Sequence, residues 1–274
     1  MDKYPHHALL CLMLLSMISP ALAGPWPAKL GETKLLVNRL HETAQSRPFV
    51  AGRLRDAASV DTDFSKLHLE YGLTPKLTFE AIAEHVSLDK GRVTDRQNHV
   101  KLGLVVNTPS LATGLLPPYF YRGLKKLMPA QKIAREKRAG LRASALARHT
   151  QFDTKRDANH GYETELALAD KISIGRFTLL QNIETGKSRM EKVDWRHSLY
   201  RLELGWNHRL TFGKETYFFD DRSSRSNFAA LTHLETVSWH WPERNMRVKF
   251  SHGDKRQSGF IKSDVAAVEF EIRF

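Results

Sequence analysis

One short stretch of the chain holds its most specific chemistry. Glu84-His85-Val86-Ser87 sets His85 and Ser87 two residues apart, and Asn98 follows closely in the sequence. In an extended backbone, residues i and i+2 share a face. A hydroxyl and an imidazole then stand on one side of a strand, and an Asn on the next strand can orient the imidazole. Those are the parts of an acyl-transfer site, with Ser87 as nucleophile, His85 as its base and Asn98 as the orienting group. The plainer reading is that small polar residues near a strand end simply meet water.

A larger set of residues carries charge. Lys66, Glu70, Glu80, Glu84, Lys101, Arg142, Arg148, Arg176, Arg201, Glu203, Arg247 and Lys249 fall on the polar phase of alternating apolar and polar runs, or beside it. Glu163, Glu165, Glu269, Glu271 and Arg273 do the same. If the runs close into a tube, these side chains line it. Opposite charges on neighbouring strands then pair and fill the interior. Alternatively, a ring of Lys and Arg concentrates its field in a narrow pore and favours small anionic solutes. The balance of 42 Lys and Arg against 30 Asp and Glu, a formal charge of +12, leans to the second reading. The surplus could equally face outward.

The elements that position these groups read as strands. Apolar residues recur at every second position in Leu67/Leu69/Tyr71, Leu77/Phe79/Ala81/Ala83, Val100/Leu102/Leu104, Leu141/Ala143/Ala145/Ala147, Tyr162/Thr164/Leu166/Leu168, Tyr200/Leu202/Leu204/Trp206 and Met246/Val248/Phe250. Segments near 33–41, 172–183, 210–219 and 230–241 complete the series with the C-terminal run, twelve segments in all. Connections at 72–76, 170–171, 207–209 and 241–245 are short. Those at 42–63, 86–97, 150–160, 184–197, 220–229 and 252–263 are longer and polar. No run after Ala23 approaches the roughly 18 apolar residues of a membrane-spanning helix.

The two ends carry export and assembly signals. Ala8 to Ser19 is an apolar run, Pro20 breaks it, and Ala21-Leu22-Ala23 has the small-x-small form of a cleavage site. Residues 1–23 are therefore expected to be a secretory signal peptide. Cys11 is the sole cysteine, so cleavage would leave residues 24–274 without disulfide or thiolate chemistry. At the other end Val268, Phe270, Ile272 and Phe274 alternate with Glu269, Glu271 and Arg273. This run resembles the last strand of Gram-negative outer-membrane β-barrel proteins, whose terminal aromatic the barrel-insertion machinery reads. The stretches Tyr71-Gly-Leu-Thr-Pro-Lys-Leu-Thr-Phe and Leu204-Gly-Trp-Asn-His-Arg-Leu-Thr-Phe resemble hairpins of outer-membrane channel and uptake proteins.

That resemblance implies an all-β, antiparallel, up-and-down transmembrane barrel of about 12 strands, with short turns on the periplasmic side and long loops outside. It implies porin-like transport of small solutes, and contact with outer-membrane lipids and lipopolysaccharide. The His85, Ser87 and Asn98 set resembles the site of outer-membrane phospholipase A, but Leu88 stands where that family carries Asn. A structural or adhesive barrel with partner-binding loops is a further alternative.

Residues 107–137 break the pattern. They form a long, basic connection where a short turn is expected, with Met128 to Arg138 compatible with a helix. An insertion beside the barrel, a plug inside it, or further strands all fit. No phosphate loop or zinc-helix motif is present, so no cofactor or metal is expected. Export argues against nucleic acid as a partner.

Overall fold

The computed structural model describes residues 28–46, 49–50, 53–54, 58–89, 94–108, 115, 117–129, 131–152, 155–190, 194–221, 228–257 and 261–274. Period-2 apolar alternation yields twelve long strands: β1 (Thr33–Ser46), β4 (Ala58–Thr74), β5 (Leu77–Asp89), β6 (Thr94–Asn107), β7 (Ile133–Phe152), β8 (Lys155–Ile174), β9 (Phe177–Met190), β10 (Asp194–Trp206), β11 (Leu210–Asp221), β12 (Phe228–Trp241), β13 (Met246–Gln257) and β14 (Ile261–Arg273). A small separate hairpin, β2 (Phe49–Val50) with β3 (Arg53–Leu54), lies between β1 and β4. Among the described residues one α-helix, α1 (Pro118–Leu127), lies between β6 and β7.

Every barrel strand pairs antiparallel with its chain neighbour, and β1 pairs with β14 to close the tube. The closing ladder runs from Lys34↔Arg273 to Gln45↔Lys262. Phe274 extends it: its N–H donates to Thr33 O at 2.8 Å, and Thr33 N–H donates to Phe274 O at 3.2 Å. Closure leaves no strand of the ring without two neighbours, which is the condition for sheet structure in lipid. Large apolar residues such as Val100, Leu102, Leu104, Leu141, Leu204, Phe212 and Phe250 face outward, and polar residues in the other phase are buried inside. This inverts a soluble core and matches a lipid-facing wall.

The turns follow local backbone chemistry. Gly175 adopts φ +56 between Ile174 and Phe177. Asn207 and His208 take φ 54 and 58 between β10 and β11, and Asn245 takes φ 51 before β13. The expected turn at Asp170-Lys171 is corrected: both residues lie within β8, and the chain reverses at Gly175, which tolerates positive φ without a Cβ penalty. Arg176 therefore belongs to this exposed turn and not to the lumen.

The long connections are shorter than the sequence implies. Strands run to Asp89, Phe152 and Met190 and resume at Thr94, Lys155 and Asp194. Apolar alternation stops where the wall leaves lipid, while backbone pairing continues. About 9–11 tilted residues cross a bilayer, and β7 and β8 have 20 each.

The segment 107–137 is also redrawn. The helix is Pro118–Leu127, not Met128–Arg138, and residues 133–137 belong to β7. The β6–β7 ladder ends at Asn107↔Gly140, so Ile133–Ala139 extends past β6. Thr108 N–H donates to Ala139 O at 2.9 Å, and the Tyr121 hydroxyl donates to Ile133 O at 3.5 Å. The connection thus covers part of an edge that would otherwise present bare backbone groups.

Candidate functional site

The interior is a lattice of ion pairs in its middle. Glu80 on β5 is the hub of one half: Arg142 Nε approaches it at 2.9 Å, His68 Nε2 at 3.0 Å, and Ser144 Oγ donates to it at 3.2 Å. Arg142 also donates from Nη1 to Glu165 Oε1 at 2.8 Å, and His197 Nε2 lies 3.2 Å from the other Glu165 oxygen. Lys66 and His99 each stand 3.5 Å from Glu84, Lys101 is 3.5 Å from Glu163, and Arg148 donates to Gln97 at 2.8 Å. Strand pairing imposes this proximity. Glu70 faces Glu80 and Arg142 faces Glu165 across single ladder positions.

A second half of the lattice lies on β10 to β14. Arg201 donates to Glu215 at 2.7 Å, and Lys249 donates to Glu215 at 3.0 Å and lies 3.2 Å from Glu269. Arg247 pairs with Glu269 and lies 3.1 Å from Glu271, and Arg201 is 3.6 Å from Glu203. Of the residues read from the sequence as interior, Lys66, Glu70, Glu80, Glu84, Lys101, Arg142, Arg148, Arg201, Glu203 and Lys249 are buried inside, and Arg247 is nearly so. Arg176 alone among that set stands apart, in its turn.

The interior is not basic. Among the described residues, eight buried Lys and Arg (Lys34, Lys66, Lys101, Arg142, Arg148, Arg201, Lys249, Lys255) face eleven buried glutamates (Glu42, Glu70, Glu80, Glu84, Glu163, Glu165, Glu184, Glu203, Glu215, Glu269, Glu271). The buried interior therefore does not carry the positive surplus of the chain.

Toward the long-loop ends of the strands the lining is mixed: apolar side chains share it with the buried Lys255–Glu42 pair, at 2.6 Å. Phe64, Val86, Met190, Trp195 and Phe219 are buried in the inward phase, and the Trp195 and Phe219 rings lie 6.4 Å apart. His197 and Tyr217 stack at 6.3 Å just below. Where the two zones meet lies a cavity of about 30 Å³, bounded by Ile82, Lys101, Arg142, Glu163, Trp195 and Tyr217. That is room for about one water molecule. At the short-turn end a polar vestibule of about 500 Å³ opens, lined by Arg138, Lys171, Glu203, Arg247, Glu271 and Arg273 among others. Residues 28–32 cross its rim. Gly31 N–H donates to Gly72 O at 2.9 Å, and a Cβ on Gly72 would fall 1.8 Å from Lys29 O.

Sequence reading missed these apolar residues and gave no role to the three lattice histidines, His68, His99 and His197. The signal was phase: Phe64 and His68 stand two residues either side of Lys66, and His197 lies four residues before Arg201. An inward aromatic on a strand with outward leucines blurs the alternation, so Phe64, Trp195 and Phe219 carried no obvious face.

The outward set is partly assembled. His85 and Asn98 are ladder partners, with Nδ1 2.8 Å from Oδ1. Ser87 shares their outward face, and among the described residues no hydrogen bond joins it to His85. On β14, Phe270 and Ile272 are half-buried on the outward face and Phe274 is exposed beside the closing seam.

No protein-family model and no curated protein sequence matches the chain. Solved structures do. The translocator domain of the autotransporter NalP from Neisseria meningitidis superimposes with a TM-score of 0.51 at 8% identity, covering 98% of this chain and 96% of that one. An outer-membrane channel from Pseudomonas putida F1 gives 0.56 at 10% identity, covering 94% and 100%. Likeness at such low identity is likeness in fold: together with the closed, lattice-filled tube it gives this chain the fold of the outer-membrane β-barrels, with twelve antiparallel strands.

Proposed function

We propose that the chain is a narrow outer-membrane pore or binding barrel for small polar solutes, entered from a vestibule at the short-turn end and closed toward the long loops. The observation that carries this reading is the contrast between the roughly 500 Å³ vestibule and the cavity of roughly 30 Å³ enclosed among Lys101, Arg142, Trp195 and Tyr217. Twelve strands fall between filled eight-stranded barrels and open porins. An apolar constriction of this kind gates by excluding water, and side-chain movement opens it. The near balance of buried Lys, Arg and Glu favours no anion preference, unlike the net charge of the whole chain. The same reading takes residues 1–23 as an export signal, Phe274 with Phe270 and Ile272 as the contact for the insertion machinery, and lipopolysaccharide as an acidic neighbour for the outward basic surplus. Planar-bilayer recording of purified protein tests it. Brief, small openings with weak ion selectivity are expected. Complete silence under all voltages, or strong anion selectivity, overturns it.

A second reading rests on the 2.8 Å His85–Asn98 contact. An Asn oxygen on Nδ1 holds the proton there and leaves Nε2 to accept one, and Ser87 is the neighbouring hydroxyl on a wall that meets lipid. This supports a lipid hydrolase. Phospholipid hydrolysis by the purified protein that disappears in Ser87→Ala supports it. Hydrolysis unchanged in Ser87→Ala, or absent throughout, removes it.

A further inference from the structure

Helix α1 sorts its residues by type. On a 3.6-residue period Phe120, Leu124 and Leu127 gather on one side, with Met128 just after the last turn and Tyr121 at the border. Arg122, Lys125 and Lys126 gather on the other, and the helix sequence holds no acidic residue. No residue of the helix is fully buried: Tyr121 and Leu124 are half-buried, Phe120 is exposed, and Leu127 is 79% exposed. An apolar face left open on this scale calls for a cover.

The position of the helix names that cover. The Arg135 guanidinium lies 5.5 Å from the Tyr121 ring centre and donates to Asp170 at 2.9 Å. Arg135 shares the outward phase of Leu141, and Asp170 shares that of Tyr162 and Leu168. So α1 lies against the outer wall at the short-turn end, and the plug reading of this segment does not hold. Around the same end the outward face carries Phe177, Trp206, Trp239 and Trp241, all exposed. Aromatic residues in such a ring mark the level of the lipid headgroups.

We propose that α1 is a membrane-interface helix, with Phe120, Leu124 and Leu127 among the acyl chains and Arg122, Lys125 and Lys126 on the phosphates of anionic phospholipids. The apolar face continues the lipid-facing belt of the barrel, and the all-cationic opposite face complements an anionic surface. It also explains why the β7 edge projects where it does: Thr108, Tyr121 and the helix shield backbone groups at a depth where water is scarce. The proposal rests on the membrane-spanning reading of the barrel and not on what passes through it.

Labelling the full chain tests it. In a Cys11→Ser background, an environment-sensitive fluorophore is placed on Leu127→Cys, on Lys126→Cys, or on Leu102→Cys in the outward belt of β6. The protein is reconstituted in vesicles of phosphatidylcholine alone or with added phosphatidylglycerol. The expected result is a blue-shifted, lipid-quenchable signal at Leu127→Cys that strengthens with phosphatidylglycerol and is lost in Arg122→Glu/Lys125→Glu/Lys126→Glu, while Lys126→Cys stays water-like. A water-like signal at Leu127→Cys with an apolar one at Leu102→Cys overturns the helix proposal alone. A water-like signal at both overturns the membrane reading with it. An equal signal with and without phosphatidylglycerol overturns anionic recognition. Heat-modifiable gel mobility shows that each variant has folded.

Discussion

The two zones of the interior are built on opposite physics. Around Glu80, Arg142 and Glu215 contact is directional: a charged group taken out of water needs an opposite charge close by. Around Phe64, Trp195 and Phe219 contact is non-directional, and a side chain needs only volume. The first zone therefore holds the barrel in one register and resists change. The second can yield without leaving a buried charge behind. A barrel that must open is served by placing closure in the second zone and rigidity in the first.

The largest break in that comparison is Phe64→Ala/Trp195→Ala/Phe219→Ala. Each truncation costs about 3–5 kcal/mol of stability when the gap cannot collapse. The triple variant should also carry sustained current in planar bilayers where the parent flickers. Stability lost without a gain in conductance would show that closure lies elsewhere.

Next comes Arg142→Met, which removes the guanidinium that Glu80 and Glu165 share and leaves them His68 and His197. Urea titration followed by tryptophan fluorescence should show a loss of about 3–5 kcal/mol, with no lasting increase in conductance. Open channels in this variant would merge the two zones into one gate. Glu80→Gln is milder, because Arg142 keeps Glu165 and the amide still accepts a hydrogen bond. A loss of about 1–3 kcal/mol is expected in the same titration.

The smallest effect is expected outside. Lys214 and Glu235 pair at 3.3 Å on the outer wall with their side chains 76% and 79% exposed. Lys214→Ala should shift the unfolding midpoint by no more than about 1 kcal/mol. A larger shift would place that pair in a drier setting than its exposure implies.

The likeness between the strand reading and the barrel is close where one face meets lipid. Leu102 with Lys101, or Phe250 with Lys249, announces both a strand and its two faces. The reading slips where lipid stops acting. Asp170 and Lys171 looked like a turn because polar residues sat together, yet Asp170 holds Arg135 on the outer wall and the chain turns at Gly175. The polar residues after Val86 and Leu168 looked like loop or turn for the same reason, although ladder pairing carries on through them. Of the candidate site, Lys66, Glu80 and Arg142 were legible as inward charges. Their partners were not, because Glu80 meets Arg142 across 62 residues of chain and Lys255 meets Glu42 across 213.

Residue order alone determined the strand number, the two faces of most strands and the aromatic end that seals the seam, because alternation between lipid and a polar interior is a local property with a period of two. Tertiary structure decided which charges neutralise one another, that Phe64, Trp195 and Phe219 face inward toward the long loops, and that α1 lies outside the wall. Those outcomes depend on how the sheet curls and staggers, and a closed ladder brings together residues whose separation along the chain carries no sign of their meeting.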